Sequence, residues 1–236
     1  TLTGGPKIDG QPHVRLLRRE LDVATLPATR LEHGLSLSRA LFRATFNSSA
    51  TMLGIALGNL NPPIHMANAM LNFTRIEKAE SWSNYGCITH GVGSLIEALD
   101  AERLATAAAF GERVRSARDH YLRSFADLVP GRIDEMSAQV YRRRKGTAPG
   151  PTSPATRYIT EDLPFGIFPV AMLGRLAGVD MRVHEAGLTL MSAVYGRDLA
   201  TDNDLLPKIG LDRMDAPLLR AVVTEGWTAS LLARMK

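Results

Sequence analysis

The sequence has few of the features that mark several protein classes. It has one cysteine, Cys87, so it cannot form an internal disulfide, and a reducing cytoplasm is the expected compartment. Aromatic residues make up 6% of the chain, and the formal net charge of +4 is too small to indicate nucleic-acid binding. The remaining composition, 45% hydrophobic and 22% charged over 236 residues, is that of a soluble globular protein with one large domain or two small ones.

Long apolar runs, targeting signals and phosphate-binding loops are missing as well. The longest uncharged stretch, residues 44–74, contains five asparagines, two prolines and a histidine, and is too polar to span a membrane. Residues 1–11 are predicted to be a Gly/Pro/Asp loop without the regions of a signal peptide, so we expect the chain to be the downstream part of a longer protein. Neither G-x-G-x-x-G nor G-x-x-x-x-G-K-[ST] occurs.

The spacing of apolar residues predicts a short β element followed by helices. Alternation over residues 14–26 predicts two short strands that end at Pro27, with further sheet partners expected before Thr1. From residue 36 onward the spacing is helical. The predicted helices are 36–46, 49–60, 62–78, 89–110, 112–128, 133–144, 164–177, 183–194 and 216–236. Turn-rich segments interrupt them at 80–86 and 146–156, so the predicted fold class is mainly α.

A polar stripe lies on the predicted helix that opens with Pro62 and Pro63. Its members are spaced i, i+4, i+7 and i+11 on one helix face: Asn61, His65, Asn68 and Asn72. The rest of this helix is apolar, so the stripe must face a polar partner or a wet cleft, as the wall of an active site does. The alternative is a core histidine whose hydrogen bond to a carbonyl is purely structural.

A second candidate segment, residues 156–166, brings three charges in front of an apolar helix. Asp162 is suited either to capping that helix or to holding the His65 imidazole for proton transfer near neutral pH. Arg157 is suited either to binding a substrate carboxylate or to an ion pair with Glu161.

Other polar groups have mainly structural interpretations. Residues 97–103 resemble a salt-bridged helix face, and the basic run 142–145 resembles a solvated helix end, although it could also attract an anion. Trp82, Asn84 and Tyr85 lie in a predicted loop and could line a pocket. No histidines have metal-ligand spacing with one another or with Cys87, so we expect no metal site.

Three ordered motifs resemble the opine dehydrogenases of the octopine/nopaline type, and the resemblance runs from about residue 14 to residue 226. They are N-L-N-P-P-I-H at 59–65, I-E-A-L-D-A-E-R at 96–103, and G-P-T at 150–152 leading into R-Y-I-T-E-D-L-P-F-G at 157–166. The resemblance implies that residues 1–35 are the end of an NAD(P)-binding Rossmann domain. Residues 36–236 would be an all-helical substrate and catalytic domain, similar to the C-terminal domain of 6-phosphogluconate dehydrogenase.

The resemblance also implies roles for individual residues. His65 would be the catalytic histidine, Asp162 its acidic partner and Arg157 the carboxylate-binding arginine, with Asn61 and Asn68 as lesser substrate-binding residues. Family members often have proline directly after the histidine, where this chain has Met66. NAD or NADP would be bound mainly by an N-terminal domain, so the 236 residues alone are expected to be inactive.

The activity implied is reduction, by NAD(P)H, of the imine formed from an L-amino acid and a 2-oxo acid such as pyruvate. The loops 80–86 and 146–156 are expected to select the amino acid. No nucleic acid or membrane partner is expected, and a homodimer is left open. One alternative is a related two-domain dehydrogenase acting on a simple 2-oxo or hydroxy acid. Another is a non-catalytic helical dimerisation or binding module, which would have no reason to bury an uncharged polar stripe.

Overall fold

A computed structural model describes residues 2–8, 11–17, 20–42, 44–145 and 148–234, with side chains from residue 20 onward. Four strands occur in these ranges: Leu2–Ile8 (β1), Gln11–Leu17 (β2), Glu20–Val23 (β3) and Thr45–Ser48 (β4). The first α-helices in these ranges are Leu31–Leu41 (α1), Met52–Leu57 (α2), Asn61–Leu71 (α3), Phe73–Glu77 (α4), His90–Ala109 (α5), Ala117–Ser124 (α6) and Ile133–Arg144 (α7). They continue with Arg157–Thr160 (α8), Phe168–Leu176 (α9), Arg182–Tyr195 (α10), Leu205–Ile209 (α11), Ala216–Glu225 (α12) and Ala229–Ala233 (α13). The predicted mainly α fold class is confirmed.

The chain divides into two compact units. The first comprises residues 1–56 and 217–236, and the second comprises residues 57–216. The predicted domain boundary at 35/36 falls inside the first unit, and the assignment of residues 1–35 to a dinucleotide-binding domain stays a prediction. Within the described ranges, no helix has the length and apolar character needed to cross a membrane.

The first unit contains both pairs of strands. β1 pairs with β2 antiparallel, and β3 pairs with β4 parallel. The prediction of a loop over residues 1–11 is therefore wrong for Leu2–Ile8 and Gln11, which are in strands, and its residues 1, 9 and 10 lie outside the described residues. Both predicted strands have a partner within the chain, and the expectation of further partners before Thr1 stays a prediction.

The predicted helix 36–46 is shifted toward the N-terminus, to Leu31–Leu41. α1 ends at Leu41, and β4 follows with Thr45 and Phe46, two residue types that favour strands. The side chain of Asn47 donates to Asp22 Oδ1 at 3.2 Å across the β3–β4 pair, and Phe46 is buried. Pairing with a distant strand has overridden a local helical spacing.

The helices of the second unit follow the predictions closely where apolar spacing is regular. α7 has the predicted bounds, and α5 and α10 agree within a residue at each end. The predicted helix 112–128 shrinks to α6, because Ser116 and Asp119 form a capping box that starts the helix late. In the first unit, the predicted helix 216–236 divides at Gly226, whose φ of 80° ends α12, and its last two residues lie outside the described part.

One apolar core joins the helices of the second unit. It is formed by buried aliphatic and aromatic residues of α3, α5, α6, α7, α10 and the segments around α8, among them Met66, Ile96, Leu99, Tyr121, Ile133, Met136, Ile159, Leu163 and Met191. Small residues allow close approach between helices: a Cβ on Gly187 of α10 would lie 2.6 Å from Met66 Cε on α3. This core fixes α3, which carries the polar stripe, against the segment that follows α8.

Candidate active site

Helix α3 presents His65 at the edge of the core. Pro62 and Pro63 occupy its first turn, where proline needs no intrahelical N–H partner, and both are buried. The following Met66 and Ala67 are also fully buried, so the helix is anchored on both sides of the histidine. The His65 side chain stays 21% exposed, which leaves it accessible from outside the core.

His65 and Asp162 form a close pair across 97 residues of sequence. His65 Nδ1 lies 2.7 Å from Asp162 Oδ2, and the aspartate side chain is 17% exposed. With Nδ1–H donating to the carboxylate, Nε2 is the nitrogen left to exchange a proton with a substrate. The alternative role of Asp162 as a helix cap is not observed in the described structure, since its side chain makes no capping hydrogen bond.

A π-helical segment, Leu163–Ile167, begins directly after Asp162. Its wide turn brings Gly166 against α3, where an added Cβ would lie 2.3 Å from Pro62 Cγ. The buried amide of Asn203 donates to Pro164 O at 2.7 Å and holds the other side of the segment. π-Helical segments are frequent at functional sites, and this one positions the carboxylate that meets His65.

The imidazole of His65 also lies flat against the ring of Tyr158, a neighbour that the sequence analysis did not single out. The ring centroids are 3.7 Å apart and the planes differ by 4°. Burial raises the pKa of the Tyr158 phenol, and the nearby Tyr85 and Asp162 raise it further, so the phenol is neutral at physiological pH. The neighbouring Asn84 side chain acts in the opposite direction and lowers this pKa.

The polar stripe of α3 continues as a chain of side-chain amides. Asn72 Nδ2 donates to Asn68 Oδ1 at 3.0 Å, and Asn68 Nδ2 donates to Asn84 Oδ1 at 2.6 Å. Asn68 is fully buried, which shows that its amide serves this network. Its predicted contact with substrate stays a prediction, as does that of Asn61, which is exposed at the first turn of the helix.

Arg157 lies at the start of α8. The ion pair that its guanidinium forms is with Glu161 and not with the His65–Asp162 pair. Its Nε atom lies 3.2 Å from Glu161 Oε2, and both side chains are largely exposed. The ion pair is the alternative that the sequence left open. An exposed pair of this kind is weak enough to exchange for a substrate carboxylate, so binding of a carboxylate by Arg157 stays a prediction.

The two predicted pocket loops pack against each other. Trp82 Nε1 donates to Pro151 O at 2.8 Å, and Gly150 N donates to Trp82 O at 2.9 Å. A Cβ on Gly150 would lie 2.3 Å from the Trp82 indole, so only glycine fits beneath that ring. Asn84 N donates to Ala148 O at 2.9 Å, which connects the loop pair to the amide chain. Residues 146–147 of the second loop lie outside the described residues.

The basic run at the C-terminal end of α7 has structural contacts. Arg143 donates to the carbonyls of Ala126 and Asp127, and the Arg144 guanidinium lies 5.4 Å from the ring centroid of Tyr85. Arg144 also lies 5.2 Å from the Phe125 ring. These contacts hold the end of α7 against the loop that carries Asn84.

The charged face predicted over residues 97–103 is structural and largely buried. Arg103 is fully buried and forms two hydrogen bonds to Asp100 Oδ1, and it also donates to the carbonyl of Leu57. Glu102 Oε2 lies 2.7 Å from His184 Nδ1 and also accepts the His184 backbone N–H. Within the described ranges, no three His, Cys, Asp or Glu residues are grouped so as to hold a metal ion.

Known proteins are similar to this chain over its helical part and over most of its length. A family model described as the alpha-helical domain of NAD/NADP octopine/nopaline dehydrogenase matches residues 48–195, more than half of the chain. The opine dehydrogenase of Arthrobacter sp. (strain 1C) is 32% identical over 215 residues, which are 91% of this chain and 59% of that protein.

Two solved structures share the fold. Octopine dehydrogenase with NADH and L-arginine has a TM-score of 0.70 at 16% identity, covering 96% of this chain and 63% of that one. Its complex with NADH and agmatine has a TM-score of 0.64 at 15% identity, covering 92% and 60%. The chain thus spans about three fifths of the length of each relative.

Proposed function

Because the chain belongs to the octopine/nopaline dehydrogenase family, we propose that it forms the helical catalytic part of an NAD(P)H-dependent oxidoreductase. The reaction proposed is condensation of an L-amino acid with a 2-oxo acid such as pyruvate, followed by reduction of the imine to an opine. The named relatives support it, since one is an opine dehydrogenase and another was solved with NADH and L-arginine. A cytoplasmic location, supported by the single cysteine, is part of the same proposal.

The observation that carries the proposal is the partly exposed pair of His65 and Asp162. Nδ1 is held by the carboxylate at 2.7 Å, which orients Nε2 for one task. Imine formation releases water and its reduction consumes a proton, so the site needs a group that gives and takes protons near neutral pH. His65 supplies that group, and Asp162 stabilises the imidazolium when it forms.

Arg157 is proposed to bind a substrate carboxylate. Both substrates and the product carry carboxylates, and a guanidinium binds one through two parallel hydrogen bonds. Exchange of the exposed Glu161 partner for substrate leaves the charge of Arg157 compensated throughout. Asn61 and Asn68 are proposed as lesser contacts in the same wall.

The described residues do not fit the dinucleotide that supplies hydride in this family. Their sheets are one antiparallel and one parallel pair of strands, and the sequence lacks the Gly-rich turn that holds a pyrophosphate at a helix N-terminus. We therefore propose that a dinucleotide-binding domain preceding the helical one holds the cofactor, and that the 236 residues alone do not turn over. The helical unit contributes orientation and proton transfer.

The proposal is tested by NADH and NADPH oxidation in the longest reading frame that encodes the chain. Pyruvate is supplied alone and then with a panel of L-amino acids. Oxidation that requires both substrates is the expected result and identifies the amino acid. Oxidation with pyruvate alone would make the protein a 2-oxo acid reductase, and no oxidation with any pair would favour a binding module; either result contradicts the proposal.

A further inference from the structure

We propose that Tyr158 is a positioning residue for the reaction: its ring, stacked on His65, fixes the plane of the imidazole. The inference rests on the proposed function, because it concerns the proton transfer assigned to His65. It adds to the histidine and aspartate a third side chain that sets the direction of Nε2, and it connects the site to the loop pair at 82–84 and 148–151.

A single hydrogen bond does not fix an imidazole ring. The bond from His65 Nδ1 to Asp162 restrains the ring at one nitrogen, and torsion about the Cα–Cβ and Cβ–Cγ bonds can still tilt the ring plane. A flat surface against the face of the ring removes this freedom. The Tyr158 ring supplies it, at 3.7 Å between centroids and 4° between planes. Proton transfer depends on the direction of the nitrogen lone pair, so loss of this surface reduces the fraction of productive encounters.

Tyr158 is supported by its own backbone and by a neighbouring side chain. Its backbone N–H donates to Thr156 Oγ1 at 3.3 Å, and the Asn84 side chain lies close enough to the phenol to lower its pKa. Asn84 in turn accepts from the buried Asn68 at 2.6 Å and donates its backbone N–H to Ala148 O at 2.9 Å. The ring therefore lies between an anchored backbone and a hydrogen-bonded neighbour, and support of this kind holds a reactive group in position.

The phenol does not take the proton itself. Burial raises its pKa, and so do Tyr85 and Asp162, so the hydroxyl remains neutral over the pH range in which His65 acts. The ring face, rather than the hydroxyl, is the part that meets His65. This separates the role of Tyr158 from that of a catalytic acid or base and predicts that phenylalanine can replace it.

The kinetic test compares Tyr158→Leu with Tyr158→Phe in the longest reading frame that encodes the chain. Tyr158→Leu is expected to lower kcat about 10-fold with KM for both substrates nearly unchanged, because orientation of His65 is lost while binding is kept. Tyr158→Phe is expected to restore most of kcat. Phe73→Leu is the control, since Phe73 is also a partly buried aromatic residue but packs on Tyr195; its kcat is expected to match the wild type.

A spectroscopic test needs no turnover. In the 236-residue chain with labelled histidine, the ring protons of His65 are identified by their loss in His65→Gln. The stacked ring shifts them upfield, so they are expected to move downfield in Tyr158→Leu and to keep their position in Tyr158→Phe.

The outcomes separate the two proposals. A wild-type protein that oxidises NAD(P)H only with both substrates, together with an unchanged kcat in Tyr158→Leu or unshifted His65 protons, overturns the role of Tyr158 alone. A loss of kcat in Tyr158→Phe as large as in Tyr158→Leu also overturns it, because the hydroxyl would then be the group that matters. No turnover in the wild type with any substrate pair overturns the proposed function and this inference with it.

Discussion

Two histidines of the second unit form carboxylate pairs of equal length in different surroundings. His65 Nδ1 lies 2.7 Å from Asp162, and His184 Nδ1 lies 2.7 Å from Glu102. The side chains of the first pair are 21% and 17% exposed, and those of the second are 1% and 11% exposed. In the first pair Nε2 can meet a substrate. In the second, His184 Nε2 is buried and has no hydrogen-bond partner among the described residues.

The carboxylates differ in what else they bind. Glu102 accepts the backbone N–H groups of Val183 and His184, and so it caps the start of α10. Asp162 directly precedes the π-helical segment and makes no such capping bond, and its carboxylate is hydrogen bonded to His65. A short histidine–carboxylate distance therefore does not identify a catalytic site. Access and the remaining hydrogen bonds of both groups decide it.

The contrast between buried and exposed pairs extends to arginine, and the largest effect on stability is expected at the buried pair of Arg103 and Asp100. Arg103→Leu leaves the carboxylate of Asp100 buried without its partner, so the free energy of unfolding should fall by about 3–5 kcal/mol in urea denaturation. Arg118→Leu, which breaks an exposed pair with Glu97, is the control and should cost less than about 1 kcal/mol. Equal losses in both variants would show that burial is not what distinguishes them.

The accessible side of the comparison is tested at Asp162. Asp162→Asn removes the charge that orients and stabilises the His65 imidazolium, so kcat should fall by about 10²-fold with little change in the unfolding midpoint. Asp180→Asn, at an exposed carboxylate paired with Arg182, should keep wild-type kcat. An Asp162→Asn enzyme that is as fast as the wild type would remove Asp162 from the site.

A smaller and pH-dependent effect is expected at Glu102. Burial raises the pKa of this carboxyl, but hydrogen bonds from the His184 side chain and from the N–H groups of Val183 and His184 outweigh it and lower the pKa below its ordinary value of 4.5. A depressed carboxyl pKa stabilises the fold above about pH 4.5, and this stabilisation is lost as the pH falls through the folded-state value.

Glu102→Gln should therefore cost about 1.5–3 kcal/mol at pH 7 and flatten the acid limb of the stability curve. The measurement is denaturant unfolding between pH 3 and pH 7, in roughly half-unit steps. Glu161→Gln, at an exposed carboxylate, should leave the curve unchanged. A Glu102→Gln variant with the wild-type acid limb would mean that the pair with His184 does not link pH to stability.

The smallest effect is expected at the loop pair beside the site. Trp82→Phe keeps most of the buried ring and removes the hydrogen bond from Nε1 to Pro151 O, which should cost about 1 kcal/mol in urea denaturation. Trp227→Phe changes an indole that is 42% exposed and should be neutral. A neutral Trp82→Phe would show that the indole hydrogen bond adds no stability.

Sequence reasoning singled out both members of the His65–Asp162 pair but not their surroundings. The i, i+4, i+7, i+11 stripe found α3 because helical periodicity is local, and the motif at 157–166 supplied Asp162 from 97 residues away. The contact of Tyr158 with His65 was not found, because ring stacking across two segments leaves no periodic signal. Asn84 was singled out only as a loop residue that could line a pocket.

The errors in the fold have the same origin. Strand β4 was assigned to a helix because its partner β3 is 25 residues away in register, as Asp22 opposite Asn47 shows. The charged face at 97–103 was correctly given a structural role, yet its burial depends on Arg103 reaching the carbonyls of Leu57 and Arg115. Long-range pairing and burial are the parts that one sequence does not display.

The comparison of the two histidines gives the most direct test of the account. The measurement is kcat for His65→Gln and His184→Gln, assayed with NADH, pyruvate and the preferred amino acid after both variants are shown to be folded. If His65 transfers the proton, kcat should fall by about 10²–10⁴-fold in His65→Gln and stay near the wild-type value in folded His184→Gln. A wild-type rate in His65→Gln, or an equal loss in both, would contradict the assignment of proton transfer to His65.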